Sequence, residues 1–197
     1  MYPYKGSVGD FVFVHIPKTG GSSIKQLYQK HKSSSHYFHG SGRRDGCGKN
    51  GHIAFNSEIE AKYFTILRNP ITRYWSHYWQ YRKNKHRRKD PVSWVLEDNW
   101  DNIVSSFITG KIHCTFDEVI ECVKNYTYVG KFENFNQTYS DISRMLGLEN
   151  AQRFWLNKRK RSHAKPIPED FISVVNNKNQ IDFRVYNWCE KNIWCKE

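Results

Sequence analysis

Residues 11–24 read FVFVHIPKTGGSSI. A run of strand formers breaks into Lys18-Thr19-Gly20-Gly21-Ser22-Ser23, and apolar residues then return at helical spacing. A buried strand that ends in such a turn and passes directly into a helix restricts the fold strongly. It is the opening unit of a parallel sheet, whose ligands bind beyond the carboxyl ends of the strands. Gly20 and Gly21 let backbone approach an anion closely, and the first turn of the helix offers unpaired N–H groups and a positive dipole end. Ser22 and Ser23 add hydroxyl donors, and Lys18 adds a mobile cation.

The order of residues fits one common use of such a loop poorly. A nucleotide-triphosphatase loop places its lysine after the glycines and a hydroxyl on magnesium. Here Lys18 precedes Gly20, and the next apolar strand ends in Arg68 rather than in a metal-binding Asp. The pattern suits an anion handled without a divalent metal.

The rest of the chain repeats the alternation. Residues 11–16 and 63–67 read as buried strands, and 126–130 as a third. Helices are expected from about 22 to 31, from about 71 onward, from 136 to 146 and from 180 to 193. Thr115-Phe116-Asp117-Glu118 is a capping box opening a further short helix. Strands alternating with helices predict an α/β fold in three layers, a P-loop-like central parallel sheet flanked by helices. At 197 residues the chain is read as a single domain, 1–197, with enough length for a sizeable core. The hydrophobic fraction is 38%, but aromatics make up 16%, which disordered chains lack.

With 31 Lys and Arg against 19 Asp and Glu, the formal charge is +12, which favours polyanionic partners or substrates. No recognised DNA- or RNA-binding motif accompanies the charge, so no specific nucleic-acid partner is expected. No stretch approaches the roughly 18–20 apolar residues of a membrane span, and no signal-peptide core precedes the first strand. A soluble, cytoplasmic protein is the expectation, with the Golgi lumen possible only for a trimmed chain. Five cysteines, an odd number without a Cys-x-x-Cys pair, indicate neither a disulfide framework nor a zinc ribbon. Cys189 and Cys195 lie near enough in sequence to meet, but a reduced state is the simpler reading.

The strand-end segments HIPKTGGSS (15–23) and FTILRNPITRYWSHY (64–78) together resemble the sulfotransferases that use 3′-phosphoadenosine 5′-phosphosulfate (PAPS) and release adenosine 3′,5′-bisphosphate (PAP). The likeness is closest to the branch of the carbohydrate 2-O-sulfotransferases (heparan sulfate 2-O-like) and their bacterial and viral relatives. It covers residues 11–82, with weaker echoes at YVGKFENF (128–135) and DFRVY (182–186). The resemblance implies that Lys18, Thr19, Gly20, Gly21, Ser22 and Ser23 cradle the 5′-phosphosulfate. Arg68 and Ser76 would bind the 3′-phosphate, which agrees with the bidentate fork that arginine offers phosphate. Arg73 is a further cation nearby, donor-binding or structural.

Transfer to a hydroxyl needs a base near neutral pKa. In the branch resembled, a Gly-His followed by apolar residues between the two donor motifs carries it, and NGHIAF (50–55) puts that role on His52. His36 and His39, in the Ser- and Gly-rich stretch 33–51, are candidates for acceptor binding, with His39 a second candidate for the base. Relatives outside the branch use Glu, and Glu58 and Glu60 lie just downstream. His36, His39, Cys47 and His52 could all ligate zinc, but their spacing matches no zinc pattern and the transfer needs no metal.

The basic runs 82–89 and 157–165 read either as solvated faces or as attractors for an anionic glycan. Tyr74, Trp75, Tyr78, Trp79 and Tyr81 read as core, with one or two left to stack on adenine or a sugar. The expected partner is a hydroxyl acceptor, a glycan or another small molecule, and a homo-oligomer is open because the chain is short for such a family. Two other readings compete: a P-loop nucleotide or small-molecule kinase, and a non-catalytic basic module that binds polyanions.

Overall fold

The computed structural model describes residues 11–30, 54–57, 60–85, 89–148 and 166–195. In chain order the elements are β1 (Phe11–Val14), α1 (Gly21–Lys30), β2 (Lys62–Leu67), α2 (Pro70–Lys85), α3 (Pro91–Glu97), α4 (Ile103–Thr109), α5 (Phe116–Lys124), β3 (Tyr128–Lys131), α6 (Phe135–Met145), α7 (Glu169–Lys178) and α8 (Gln180–Cys189). A short 3-10 turn, Phe132–Asn134, joins β3 to α6, and a π-helical turn, Glu190–Trp194, extends α8.

The three strands form one parallel sheet in the order β1-β2-β3. Phe11 pairs with Lys62 and Val14 with Thr65, while Phe64 pairs with Tyr128 and Leu67 with Lys131. Because all three run the same way, Val14, Leu67 and Lys131 end at one edge. The Thr65 hydroxyl, buried in the central strand, donates to the Val14 carbonyl at 2.9 Å, so no buried hydroxyl there lacks a partner.

Strand side chains alternate between two faces, and each face has its own core. Val12, Val14, Tyr63, Leu67 and Val129 pack with residues of α4, α5 and α8, including Phe107, Val119, Val123 and Val185. Phe13, Phe64 and Ile66 point the other way, onto Ile24 and Leu27 of α1 and Phe135, Tyr139 and Ile142 of α6. Helices therefore cover both faces of a parallel sheet, as the alternation of elements predicts. A third cluster, set by aromatics, joins α2, α3 and α7: Tyr74, Trp75, Tyr78, Trp94, Val95, Phe171 and Val175. The α2 aromatics are thus core residues, with Tyr74 donating to the Trp100 carbonyl at 2.6 Å and Tyr78 to the Lys89 carbonyl at 2.9 Å.

The boundaries differ from the sequence reading by a few residues. The third strand starts at Tyr128 rather than at 126. Tyr126 turns inward, donating to the Ile108 carbonyl at 2.9 Å. The α5 capping box forms as expected: the Thr115 side chain accepts from the Glu118 N–H, and the Glu118 carboxylate accepts from the Thr115 N–H. Helices α3, α4 and α7 have no counterpart in the sequence reading. Helix α3 begins at an Asp90 cap with proline at its start. Helix α4 has no side-chain cap from its own N-cap residue, Asn102, which sits in the left-handed region at φ +47°.

The cap of α4 arrives from α8. The buried Asp182 carboxylate accepts from the N–H groups of Val104 (3.0 Å) and Ser105 (2.8 Å) and from the Ser105 hydroxyl (2.6 Å). Asn102 returns the favour to α8, accepting from the Ile181 and Asp182 N–H groups at 2.9 and 3.2 Å. Two helix starts cap one another, and this knot fixes α8 against the sheet.

Candidate active site

The site is the shared carboxyl edge of the three strands, where the chain leaves β1, β2 and β3 in turn. After β1 it makes a tight turn in which Lys18 has φ +71° and Gly20 has φ +93°. A left-handed lysine is uncommon and needs support from its surroundings. That support comes from Arg68 at the end of β2. Its Nη1 donates to the Lys18 carbonyl at 3.1 Å, and its Nε donates to the Thr72 hydroxyl at 3.0 Å. The guanidinium also lies over the Phe132 ring, 4.2 Å from its centroid, so the exit of β3 supports the exit of β2.

Both glycines are required by packing, and Gly20 by the turn as well. A Cβ on Gly20 would lie 2.5 Å from Phe135 Cε2, and one on Gly21 would lie 2.0 Å from His15 Nε2. His15 is 8% exposed and stacks on Phe13 with ring centroids 5.5 Å apart, so it has little room to retreat. The α1 N-terminus therefore sits directly on a buried imidazole, and α6 presses on the turn before it. No signal in the sequence pointed to His15 or Phe135.

The remaining loop residues divide between inside and outside. Thr19 is buried, and its hydroxyl donates back to the Ile16 carbonyl at 2.9 Å. Ser22 is exposed and Ser23 is buried in the first turn of α1, whose N–H at Ser23 reaches the Gly20 carbonyl at 3.0 Å. That first turn, Gly-Ser-Ser-Ile, contains no acidic residue.

On α2, Asn69 caps the helix start by accepting from the Ile71 and Thr72 N–H groups at 3.1 and 3.3 Å. Thr72 and Ser76 are four residues apart and share a helix face. Thr72 is bonded to Arg68, so Ser76, nearly buried, lies one turn further along the same side.

Arg73 is elsewhere. It is fully buried, its guanidinium lies 4.4 Å from the Tyr74 ring centroid, and the charges it meets are Asp98 and Asp182. None of its three side-chain nitrogens has a hydrogen-bond partner among the described residues. Its position suits a packing cation that offsets two carboxylates, the buried Asp182 and the half-buried Asp98. Burial pushes the Asp98 carboxyl up to about 6, with Arg73 the largest opposing influence.

The third strand exit adds residues that the sequence reading touched only as the weaker echo YVGKFENF. Glu133 Oε1 accepts from the Asn69 N–H at 3.0 Å, and Glu133 Oε2 accepts from the Tyr186 hydroxyl at 3.1 Å. Burial, and then Glu133, hold the Tyr186 phenol well above its ordinary range. Lys131 pairs with Glu190 at 2.7 Å.

His36, His39 and His52 lie outside the described residues, as do Cys47, Glu58 and the basic run 157–165. Glu60 is exposed at the approach to β2. Among the described residues no group of three or more His, Cys, Asp or Glu is arranged to hold a metal ion. No helix among them is long and apolar enough to cross a membrane.

The loop, the strand-end arginine and the flanked parallel sheet coincide with one family's pattern along nearly the whole chain. The model of the sulfotransferase family matches residues 8–188. The chain belongs to the sulfotransferase family. Among solved structures it is similar to the crystal structure of a sulfotransferase from Alicyclobacillus acidocaldarius, with a TM-score of 0.54 and 15% sequence identity. That match covers 96% of this chain and 98% of the other. At that identity the likeness shows the fold, a three-stranded parallel sheet flanked by helices in the P-loop-like manner. A comparison with curated proteins finds no match. Family and fold together support sulfuryl transfer in general.

Proposed function

We propose that the protein is a PAPS-dependent sulfotransferase, a single domain over 1–197 that moves a sulfuryl group to a hydroxyl acceptor, a carbohydrate in the first instance. The observation that carries this reading is the bond from Arg68 to the Lys18 carbonyl, which joins the two donor motifs at one edge of the sheet within a sulfotransferase-family chain. The described residues fit an anionic donor. Two cations flank an α1 N-terminus that carries no acid of its own, and a helix start of that kind favours phosphate.

In this reading the N–H groups of 19–22 and the Ser22 hydroxyl hold the 5′-phosphosulfate, with Ser23 setting the first turn of α1 through its bond to Gly20, while Arg68 and Ser76 take the 3′-phosphate. Thr19 contributes backbone only, because its hydroxyl is engaged with Ile16. Arg73 is omitted from the donor set because it is fully buried. PAPS supplies the sulfuryl group, and PAP leaves. Lys18 neutralises charge that grows on the oxygen bridging phosphorus and sulfur, and His52 takes the acceptor proton as the new oxygen–sulfur bond forms. Most of the acceleration comes from positioning and charge stabilisation, as in phosphoryl transfer. His36 and His39 contribute to acceptor binding.

Titration with PAP, and in parallel with ATP and magnesium, tests the donor. Tight PAP binding supports the proposal, preference for ATP indicates a kinase, and no nucleotide binding indicates a polyanion-binding module. His52→Ala is expected to keep PAP affinity and lose transfer by about 10²–10⁴-fold, the usual worth of a general base. Full activity in that variant removes His52 from the mechanism. A labelled-sulfate screen across glycans, peptides and small alcohols identifies the acceptor.

A further inference from the structure

The exit of β3 holds Arg68 from two sides. Phe132 lies under the guanidinium at 4.2 Å. The next residue, Glu133, takes the N–H of Asn69, the residue after Arg68, at 3.0 Å. The other Glu133 oxygen is tied to Tyr186 on α8 at 3.1 Å. Both of its donors are neutral, so the carboxylate acts by reach and direction rather than by pairing with a cation. Asn69 in turn caps α2 through its side chain, and Arg68 reaches from this turn to the Lys18 carbonyl. One bonded path thus runs from α8 through Glu133 and Asn69 to Arg68 and the anion loop.

We propose that Glu133 is a positioning residue that sets the direction of the Arg68 side chain, and through it the selectivity for a nucleotide bearing a 3′-phosphate. The inference rests on the donor reading above, in which Arg68 meets that phosphate. A carboxylate beside an anion site is unfavourable by charge alone, which fits a residue retained for geometry. If Asn69 loses its N–H partner, the turn bearing Arg68 relaxes. A bidentate arginine–phosphate contact is sensitive to such relaxation, because its fork must align with two oxygens. A 5′-phosphate held by the α1 N-terminus is not.

The test compares affinity for adenosine 3′,5′-bisphosphate with that for adenosine 5′-phosphate, measured by calorimetry on the full chain. The wild type is expected to prefer the bisphosphate strongly. Glu133→Ala is expected to lower bisphosphate affinity about tenfold and leave 5′-phosphate affinity within about twofold. Glu133→Gln keeps the reach and both bonds, with Tyr186 accepting from the new amide, and is expected to restore the ratio. Glu133→Asp keeps the charge but is one methylene short, and is expected to lose at least threefold in the ratio. The Gln and Asp variants carry the test if the alanine variant fails to fold.

A ratio unchanged in Glu133→Asp and Glu133→Ala overturns the inference, as does equal weakening of both ligands, which marks a general structural role. A result in which Gln fails and Asp succeeds also overturns it, since charge would then matter and reach would not. A wild type without preference for the bisphosphate removes the donor reading itself, and the inference with it. That failure is visible before any variant is made.

Discussion

Helices α1 and α5 begin in opposite ways. Helix α5 completes its own start: Thr115 and Glu118 exchange the two bonds of a capping box, and Asp117 and Glu118 place negative charge in the first turn. Lys111 hydrogen-bonds to Glu118 and is the main cause that holds its carboxyl down to about 2. Helix α1 begins with Gly-Ser-Ser-Ile after Lys18, Thr19 and Gly20, without an acid. Of the side chains around it, Thr19 turns inward, and Lys18 and Arg68 are cationic. Every helix start presents unpaired N–H groups and partial positive charge. One start is neutralised locally, and the other carries no acid of its own, as the proposed donor site requires. Helix α4 is a third case, since its anion is a distant part of the same chain, Asp182.

The largest effect that could break this comparison lies at α4. Asp182→Ala leaves two N–H groups and a hydroxyl without their acceptor and strips Arg73 of a neighbouring charge. It is expected to destabilise the fold by about 3–5 kcal/mol, the range for removing one member of a buried charged set, as measured by urea denaturation. A loss below about 1 kcal/mol would mean that the α4 start is satisfied by water instead. Next in size is Gly21→Ala, which drives a Cβ into His15. Overpacking of this kind costs about 1–3 kcal/mol. It also displaces the α1 start, so PAP affinity is expected to fall more than tenfold while α5 is untouched. Thr115→Ala at the self-capped helix is the converse control. It is expected to cost about 1 kcal/mol and leave PAP affinity unchanged, and any loss of affinity there would refute the division between the two helix starts.

The same contrast explains what was legible in the sequence. Thr115-x-x-Glu118 is a local signal, because every group in it lies within one turn, and it was readable as a helix start. The strand–loop–helix unit at 11–30 was readable for the same reason, as was Arg68 at the end of an apolar run. Helix α4 was not, since its cap stands in α8 and its own N-cap residue is a left-handed asparagine whose side chain bonds to α8 instead of to α4. Helix α3 carried a usable signal in Asp90-Pro91, a cap followed by proline at the first position. The glycines were readable as glycines, but not for all their reasons. Their proposed role against an anion was read from the motif, whereas Phe135 and His15 become visible only when α6 and β1 are packed. Glu133 shows the same limit, since its partners Asn69 and Tyr186 are separated from it by 64 and 53 residues.

The smallest expected effect concerns a carboxylate at the other end of a helix. Asp98 is the C-cap residue of α3, where the helix presents partial negative charge, whereas Asp182 stands at a helix start. Its carboxyl is raised from 3.8 to about 6, chiefly by burial. A carboxyl with a higher pKa folded than unfolded binds its proton more tightly in the folded state. Its favourable contribution is therefore fully present below about 3.8 and is lost as pH rises through about 6. Asp98→Asn removes that dependence, so its stability relative to wild type should rise between pH 4 and pH 7. Asp98 keeps some contact with solvent, which limits the effect to under about 1 kcal/mol, or about 2 °C in Tm for a chain of this size. Parallel Tm profiles for the two proteins across that window would show that Arg73 already neutralises Asp98. The buried cation would then serve Asp98 at the end of α3 as fully as it serves Asp182 at the start of α4.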